Sequence, residues 1–465
     1  MTTTNPSASY FEEVANQWDE LRSGYFTEAV RDAAIAKAYL HPEMLVADVG
    51  AGTGFVTAGL ASLVKQVHVL DGSSAILNVA QQKFSAFKNL VFQEADGLSL
   101  PLPDSGMDAA FANMYLHHCP VPLDAIREMV RILRPGGRLV ITDMNTHFNE
   151  QLKMEMSDLW MGFERDQIRA WFEEAGLVNI IVDATGQSCQ ASSHQGSNNR
   201  LSTSVFVATG TKKIIARDSV QASYAARALG AKNSCDPASG CCSPGVISLE
   251  DVGTVTWNSG YSSVEKGEIP QDAVEISLGC GNPTAMANLR QGEAVLDIGS
   301  GGGIDAFLAA KRVGPSGSVL GVDMTPAMLQ RARRAAEKGG FTNVKFRHGY
   351  AEKLPVEDST IDVIISNCVI NLTEDKGKVF REAYRVLKTG GRLEVNDMVF
   401  GGPILPSQRT STAGWSECIS GALPEGEYID LVKQAGFKDI SVRRSTSSGT
   451  SAGTPVYSVQ LSAQK

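Results

Sequence analysis

The 465-residue sequence lacks an apolar run long enough to cross a bilayer, and it lacks a long run of basic residues. About twenty consecutive apolar residues are needed to span a membrane, so we predict no contact with one. A net charge of −9 without a basic arm argues against a nucleic-acid partner. The first twenty residues have neither a basic start nor an apolar core, so we also predict no secretion signal and a cytoplasmic location.

The eight cysteines contain no CxxC pair, which argues against a zinc finger. Disulfide scaffolding is also disfavoured in the cytoplasm. Six of the eight lie from residue 235 onward, and this asymmetry indicates chemistry rather than core packing. We interpret Cys119, Cys189 and Cys235 as structural, because they lie outside the motifs described below.

A glycine-rich turn follows a short apolar strand in VLDIGSGGG, residues 295–303. Its GxGxG spacing lets the backbone turn tightly beside a ligand at the start of a helix, whereas a dinucleotide site favours GxGxxG. The next strand ends in Asp323, which is suited to accept hydrogen bonds from both hydroxyls of a ribose.

With GYAEKLP (349–355) and IDVIISN (361–367), this order of motifs resembles that of S-adenosylmethionine-dependent methyltransferases. The resemblance implies S-adenosylmethionine as the cofactor. The predicted binding residues are Asp297, Gly299, Gly301, Gly303, Asp323, Met324, Ala351, Glu352 and Asn367.

The pattern occurs twice, since VADVGAGTG starts at residue 46 and VLDIGSGGG at residue 295, a separation of 295 − 46 = 249 residues. We predict two tandem Rossmann-like class I methyltransferase domains, over residues 1–212 and 213–465. Each is expected to have a mostly parallel seven-stranded sheet with helices on both faces. In the first domain the predicted cofactor residues are Gly50, Gly52, Gly54, Asp71 and Asp96.

The second half, about residues 220–430, resembles arsenite methyltransferases. The resemblance is carried by SLGCGNP (277–283), ISNCVINL (365–372), ECISGAL (417–423) and the cofactor motifs. It implies that three cysteines bind As(III), namely Cys280, Cys368 and Cys418. A fourth cysteine of the family is matched by either Cys241 or Cys242.

Trivalent arsenic is soft and prefers thiolate ligands. Three thiolates with As(III) form a neutral cluster that keeps a lone pair for attack on a methyl group, so no general base is required. We therefore predict an arsenite methyltransferase that detoxifies arsenite or methylarsenite. Each transfer oxidises arsenic, and we expect Cys241 or Cys242 to supply electrons and thioredoxin or glutathione to restore the thiols.

The first half departs from the arsenite methyltransferase pattern. Alignment of DAAFANMYL with DVIISNCVI places Met114 opposite Cys368, so arsenic binding of the same kind is not expected there. This half resembles small-molecule methyltransferases that include quinone and sterol enzymes. Its role is left open between a second methylation, a regulatory module and a scaffold. His117 and His118 are interpreted as opening or packing against a helix rather than as a catalytic base.

Two other functions are considered. A methyltransferase acting on carbon, oxygen or sulfur would use the cysteines structurally and would survive the loss of Cys368. A metalloid-binding or sensing protein would bind through the cysteines without turnover, although no helix-turn-helix signature accompanies them.

Overall fold

The computed structural model describes most of the chain. The described residues are 6–190, 202–229, 246–249, 253–256, 261–267, 269–274, 281–411, 414–415, 418–451 and 453–465. The chain forms two compact units. The first consists of Met1–Lys213 and Ile404–Ser407, and the second consists of Ile214–Pro403 and Gln408–Lys465. Within the described ranges, no helix combines the length and the apolar character needed to cross a membrane.

The first unit is built on one seven-stranded sheet. Its strands are β1 (Leu45–Val49), β2 (Gln66–Asp71), β3 (Leu90–Glu94), β4 (Met107–Asn113), β5 (Leu133–Met144), β6 (Leu177–Gln190) and β7 (Ser202–Lys212). Its helices are α1 (Pro6–Val14), α2 (Trp18–Tyr25), α3 (Glu28–Ala36), α4 (Phe55–Leu60), α5 (Ser74–Lys83), α6 (Pro122–Ile132), α7 (Glu150–Met156) and α8 (Arg165–Glu174). The strand order is β3-β2-β1-β4-β5-β7-β6, and β7 runs antiparallel to both of its neighbours.

Both faces of this sheet are covered by helices. Along β1, Val46 joins one buried apolar cluster, while Ala47 and Val49 join the other. Val30 of α3 belongs to the first cluster and Ile126 of α6 to the second. A strand buried on both faces carries apolar residues at successive positions, as a parallel sheet between helical layers requires.

The second unit repeats this architecture. Its strands are β8 (Val246–Leu249), β9 (Gly253–Thr256), β10 (Ala294–Ile298), β11 (Ser318–Asp323), β12 (Val344–His348), β13 (Ile361–Asn367), β14 (Leu387–Phe400), β15 (Leu423–Pro424), β16 (Lys438–Ser451) and β17 (Thr454–Gln464). Its helices are α9 (Arg217–Ala228), α10 (Ser263–Gly267), α11 (Gln271–Val274), α12 (Pro283–Met286), α13 (Ile304–Val313), α14 (Pro326–Gly339), α15 (Lys376–Val386) and α16 (Glu425–Gln434). The main sheet has the order β12-β11-β10-β13-β14-β17-β16, and the short β15 pairs with β14.

The predicted fold, two tandem and mostly parallel sheets, is confirmed, and the structure shows that the first seven-stranded sheet and the main path of the second share one strand order. The second sheet differs from the prediction by β15, which makes it eight-stranded, and β8 and β9 form a separate two-stranded sheet. In each main sheet the strand order reverses between two parallel neighbours, β1 and β4 or β10 and β13. A crevice opens at the carboxyl ends of such strands, and open α/β sheets bind their ligands there.

Candidate active site

The glycine loop after β10 brings backbone close to the crevice of the second unit. Gly299 has a φ of +75°, and a Cβ at this position would overlap the methyl groups of Val369. Gly301 has a φ of +49° and donates its backbone N–H to Asp323 Oδ2 over 2.9 Å. A residue with a Cβ would be strained at both positions, so the loop shape depends on glycine.

Asp323, at the end of β11, is held by backbone donors on both oxygens. Thr325 donates its N–H to Oδ1 over 2.7 Å, and Gly301 donates to Oδ2. Burial raises the pKa of this carboxyl, while the two backbone hydrogen bonds oppose that shift. Because a carboxylate oxygen can accept more than one hydrogen bond, the fixed Asp323 can also accept both hydroxyls of a ribose.

A cavity lies above this loop in the second unit. The predicted cofactor residues that line it are Gly299, Gly301, Asp323, Met324, Ala351, Glu352 and Asn367. Asp297 and Gly303 are not among the lining residues. Gly303 instead turns the chain into α13 with a φ of +95°. Asp297 is 2% exposed and accepts a hydrogen bond from the backbone N–H of Ala306. Burial is the main cause that raises the pKa of Asp297 well above its usual range, and the negative charges of Asp305 and Asp323 add to the shift.

Asn367, the last residue of β13, is the centre of a hydrogen-bond network. Its Nδ2 donates to the Gly281 carbonyl and the Tyr261 hydroxyl, each over 2.8 Å, and lies 3.2 Å from Asp305 Oδ2. Tyr261 donates its hydroxyl to the same Asp305 oxygen over 2.7 Å. Asn367 Oδ1 is buried and has no hydrogen-bond partner among the described residues. An acceptor left open on the cavity wall fits the ammonium group of an amino-acid ligand.

The structure brings together two of the predicted arsenic ligands. Cys368 follows β13 directly, lines the cavity and is 3% exposed. Cys418 is equally buried, and its Sγ lies 2.9 Å from the carbonyl oxygen of Cys368. Both cysteines have a left-handed backbone, with φ values of +57° and +63°. Such conformations cost about 1–3 kcal/mol and persist only where the surroundings impose them.

The remaining cysteines of interest, Cys235, Cys241, Cys242 and Cys280, lie outside the described residues. Cys368 is disulfide-bonded in this structure, so ligation through its thiolate would first require reduction of that bond. Cys119 and Cys189 are buried, and burial raises the pKa of each thiol to about 12. Protonated thiols of this kind are poor nucleophiles and poor ligands at neutral pH.

The first unit has a cavity of about 710 Å³ at the equivalent place. The predicted residues that line it are Gly50, Gly52, Asp71 and Asp96, whereas Gly54 lies outside the lining and precedes α4 with a φ of +85°. Asp71 accepts the N–H of Gly52 over 2.8 Å and that of Ser73 over 3.0 Å. The arrangement reproduces that of Asp323, so both units contain the same hydrogen-bonded cradle.

Met114 occupies the place in the first unit that Cys368 occupies in the second. Each residue follows the strand at the centre of its sheet, and Met114 has a φ of +51°. The Met114 N–H donates to the carbonyl of Thr142 on β5, and the Cys368 N–H donates to that of Asn396 on β14, each over 2.8 Å. Met114 also lines its cavity, so the two sites differ in side chain at a shared backbone position.

Sequence reasoning missed several residues of the second site. Arg217 and Tyr224 of α9 line the cavity, and Arg217 donates to Glu352 Oε1 over 3.0 Å. Tyr261 and Asp305 join the site through Asn367. Asp305 follows the glycine loop closely, but nothing in the local sequence of Arg217 or Tyr261 indicates that either side chain approaches the site.

Two matches to protein families cover the centres of the two units. A model described as a methyltransferase domain matches residues 47–141, and another of the same description matches residues 289–436. The chain carries two methyltransferase domains. The methyl donor of such domains is S-adenosylmethionine, whose ribose and amino-acid groups fit the donors and acceptors described above.

Curated relatives include arsenite methyltransferases. The protein of that name from Halobacterium salinarum is 40% identical over 203 residues, which are 44% of this chain and 50% of the relative. The one from Aquipseudomonas alcaligenes is 45% identical over 168 residues, 35% of this chain and 48% of the relative. The chain thus spans about half the length of these relatives. Among solved structures, the chain is similar to an arsenic(III) S-adenosylmethionine methyltransferase from Chlamydomonas reinhardtii, with 36% sequence identity. The aligned region covers 43% of this chain and 72% of that chain, with a TM-score of 0.39.

Proposed function

We propose that the second domain, residues 213–465, is an arsenite methyltransferase that binds As(III) through Cys368, Cys418 and Cys280. The observation that carries this proposal is the position of Cys368 on the cavity wall, directly after Asn367 and in contact with Cys418. The likeness to curated arsenite methyltransferases supports the choice of acceptor.

The residues proposed to hold the cofactor are Asp323 for the ribose, the loop of Gly299 and Gly301 for close backbone contact, and Asn367 for the amino-acid group. S-adenosylmethionine supplies an electrophilic methyl group when it is bound. The chain has to position the acceptor against that group, and correct placement of two reactants is worth roughly 7–11 kcal/mol of barrier.

Thiolates suit this acceptor because As(III) is soft and three of them neutralise its charge. A neutral cluster can be enclosed among buried side chains without the cost of an unpaired charge. Cys368 and Cys418 are both 3% exposed, which keeps water away from the bound arsenic. Arsenic has no proton to lose, so the site needs no general base.

Transfer of the methyl group oxidises arsenic from the trivalent to the pentavalent state. A second round therefore needs two electrons, which two thiols supply when they are oxidised to a disulfide. We propose Cys241 or Cys242 as one of these thiols and thioredoxin or glutathione as the external reductant, in the cytoplasm where such reductants act. The disulfide at Cys368 supports this proposal, since a thiol reductant would free the Cys368 thiol before arsenic binds.

For the first domain, residues 1–212, we propose cofactor binding without arsenic binding. Met114 replaces the central cysteine, and a thioether is a weaker arsenic ligand than a thiolate. The cradle of Gly50, Gly52, Asp71 and Asp96 is proposed to hold the same cofactor.

The test is arsenic speciation after incubation of the protein with As(III), S-adenosylmethionine and a thiol reductant. We expect methylated arsenicals from the wild type and from Cys189→Ser, a matched change at a buried cysteine in the first unit, but none from Cys368→Ser. Methylation that survives Cys368→Ser would favour a carbon, oxygen or sulfur acceptor with structural cysteines. Tight arsenic binding without any methylated product would favour a metalloid-binding protein.

The proposed reducing cysteines need a separate experiment. A variant with both Cys241→Ser and Cys242→Ser should complete a first methyl transfer and then stop, because arsenic would remain pentavalent. Sustained turnover of this variant at the wild-type rate would remove both residues from the reaction.

A further inference from the structure

A buried cluster of histidine and aspartate side chains lies beside the cavity of the first unit. We call it the His–Asp cluster, and it consists of His117, His118, Asp143 and Asp158. Their exposures are 0%, 8%, 0% and 5%, so the cluster is enclosed by protein. His118 also lines the cavity, which links the cluster to the candidate active site.

Two distances within the cluster are close to the spacing of ligands around a small tetrahedral cation. His117 Nε2 lies 3.5 Å and His118 Nδ1 lies 3.7 Å from Asp158 Oδ1. One ligand atom from each of these three residues lies within 4.8 Å of the other two. Ligands about 2.0–2.2 Å from a tetrahedral zinc ion are themselves about 3.3–3.6 Å apart, close to the separations seen here.

The backbone holds Asp158 against the two histidines. Leu159 and Trp160 both donate their N–H groups to the His117 carbonyl, over 2.9 and 3.1 Å. Trp160 also donates its indole N–H to the Cys119 carbonyl over 2.9 Å. The two residues that follow Asp158 are thus tied to the His117 backbone, which keeps Asp158 beside the two histidines.

The polar atoms at the centre of the cluster lack hydrogen bonds to the described residues, although His117 Nε2 and Asp158 Oδ1 lie at ion-pair distance. His117 Nε2 and both carboxylate oxygens of Asp158 are buried and have no hydrogen-bond partner among the described residues. In contrast, His117 Nδ1 lies 2.7 Å from Asp143 Oδ1. Metal-binding histidines are commonly held in this way, with a carboxylate on the ring nitrogen that faces away from the metal.

We propose that the first unit binds a divalent transition-metal ion of the zinc class through His117, His118 and Asp158, with Asp143 orienting His117. Three protein ligands leave a fourth position for water or for an oxygen or nitrogen atom of a small molecule, as in catalytic zinc sites. The second unit lacks this site at the equivalent place, since Asn371 stands where His117 stands and donates its backbone N–H to Asp397 over 3.1 Å.

The experiment uses the full chain, freed of metal by a chelator and titrated with Co²⁺. Cobalt bound by nitrogen and oxygen in a tetrahedral site gives a visible spectrum without the near-ultraviolet charge-transfer band of thiolate ligation. Cysteine-bound metal is therefore distinguished from the proposed site. We expect one such ion per chain, displaced by Zn²⁺.

The matched variants are Asp158→Asn, Asp143→Asn and, as control, Asp166→Asn at an exposed position of α8. Asp158→Asn should abolish the spectrum, Asp143→Asn should weaken binding about 10–100-fold, and Asp166→Asn should have no effect. A wild type without the tetrahedral nitrogen and oxygen spectrum, or an Asp158→Asn variant that keeps it, would overturn the proposal. If Asp158→Asn fails to fold, X-ray absorption spectroscopy of the zinc-loaded wild type identifies the atoms bound to zinc. Nitrogen and oxygen ligands would support the proposed site, and a shell of sulfur ligands alone would contradict it.

Discussion

The paired aspartates of the two cradles offer a direct test of which domain carries out the proposed arsenic methylation. Asp323→Ala and Asp71→Ala each remove a carboxylate that accepts two backbone N–H groups and faces a cavity. A hydrogen bond to a charged group contributes about 1.5–3 kcal/mol. Loss of two ribose contacts therefore costs about 3–6 kcal/mol, or about 10²–10⁴-fold in cofactor affinity.

Isothermal titration with S-adenosylhomocysteine, the demethylated cofactor product, measures this loss without turnover. The wild type should bind two equivalents and each variant one. Arsenic methylation should be lost in Asp323→Ala and retained in Asp71→Ala, because the two changes are chemically the same and differ only in domain. Circular dichroism of both variants checks that the fold is kept. The reasoning fails if Asp323→Ala still binds two equivalents, or if Asp71→Ala loses arsenic methylation as severely.

Two further predictions concern stability. Burial raises the pKa of Glu394 to about 7 in the folded state. The folded protein then binds more protons than the unfolded chain between about pH 4.5 and 7, so stability falls as pH rises through this window. Glu394→Gln keeps an acceptor for the Ser462 hydroxyl. It should remove this loss of stability with rising pH, and the free energy of unfolding at pH 8 should increase by up to about 3 kcal/mol. Gly299→Ala should lower the free energy of unfolding by about 2–5 kcal/mol, because φ is positive there and the added Cβ would overlap Val369. Gly340→Ala, the control, has a φ of +70° but open space around it, and should lower the free energy of unfolding by only about 1–2 kcal/mol.

Hydrogen exchange along a urea series measures both effects, because it reports on each unit separately. An unchanged pH dependence in Glu394→Gln would show that this carboxyl is not the group that titrates. Equal costs for Gly299→Ala and Gly340→Ala would show that the loop relaxes around the added methyl group.

Local sequence was sufficient for features that depend on neighbouring residues. The glycine loops and the acids Asp71 and Asp323 at strand ends follow from short motifs. Gly54, Gly303 and Asp297 belong to the same motifs but support the loop and the following helix instead of lining the cavities. A motif identifies a loop, but it does not say which of its residues face the ligand.

Features that depend on distant residues could not be predicted. Tyr261 and Asn367 are 106 positions apart and meet only because the sheet and its lead-in fold together. The His–Asp cluster is similar, since the two histidines are adjacent in the sequence but Asp143 lies 26 positions from His117. No local pattern signals that two carboxylates will close around one imidazole.

The shared left-handed backbone of Met114 and Cys368 has a consequence for protein engineering. Since the unusual conformation is present whether the side chain is a thioether or a thiol, it is a property of the scaffold and is independent of the ligand. A thiol could be grafted onto the first domain at Met114 without remodelling the main chain. The harder part of transplanting the proposed arsenic chemistry would be to supply partners for that thiol, because those come from segments remote from the strand.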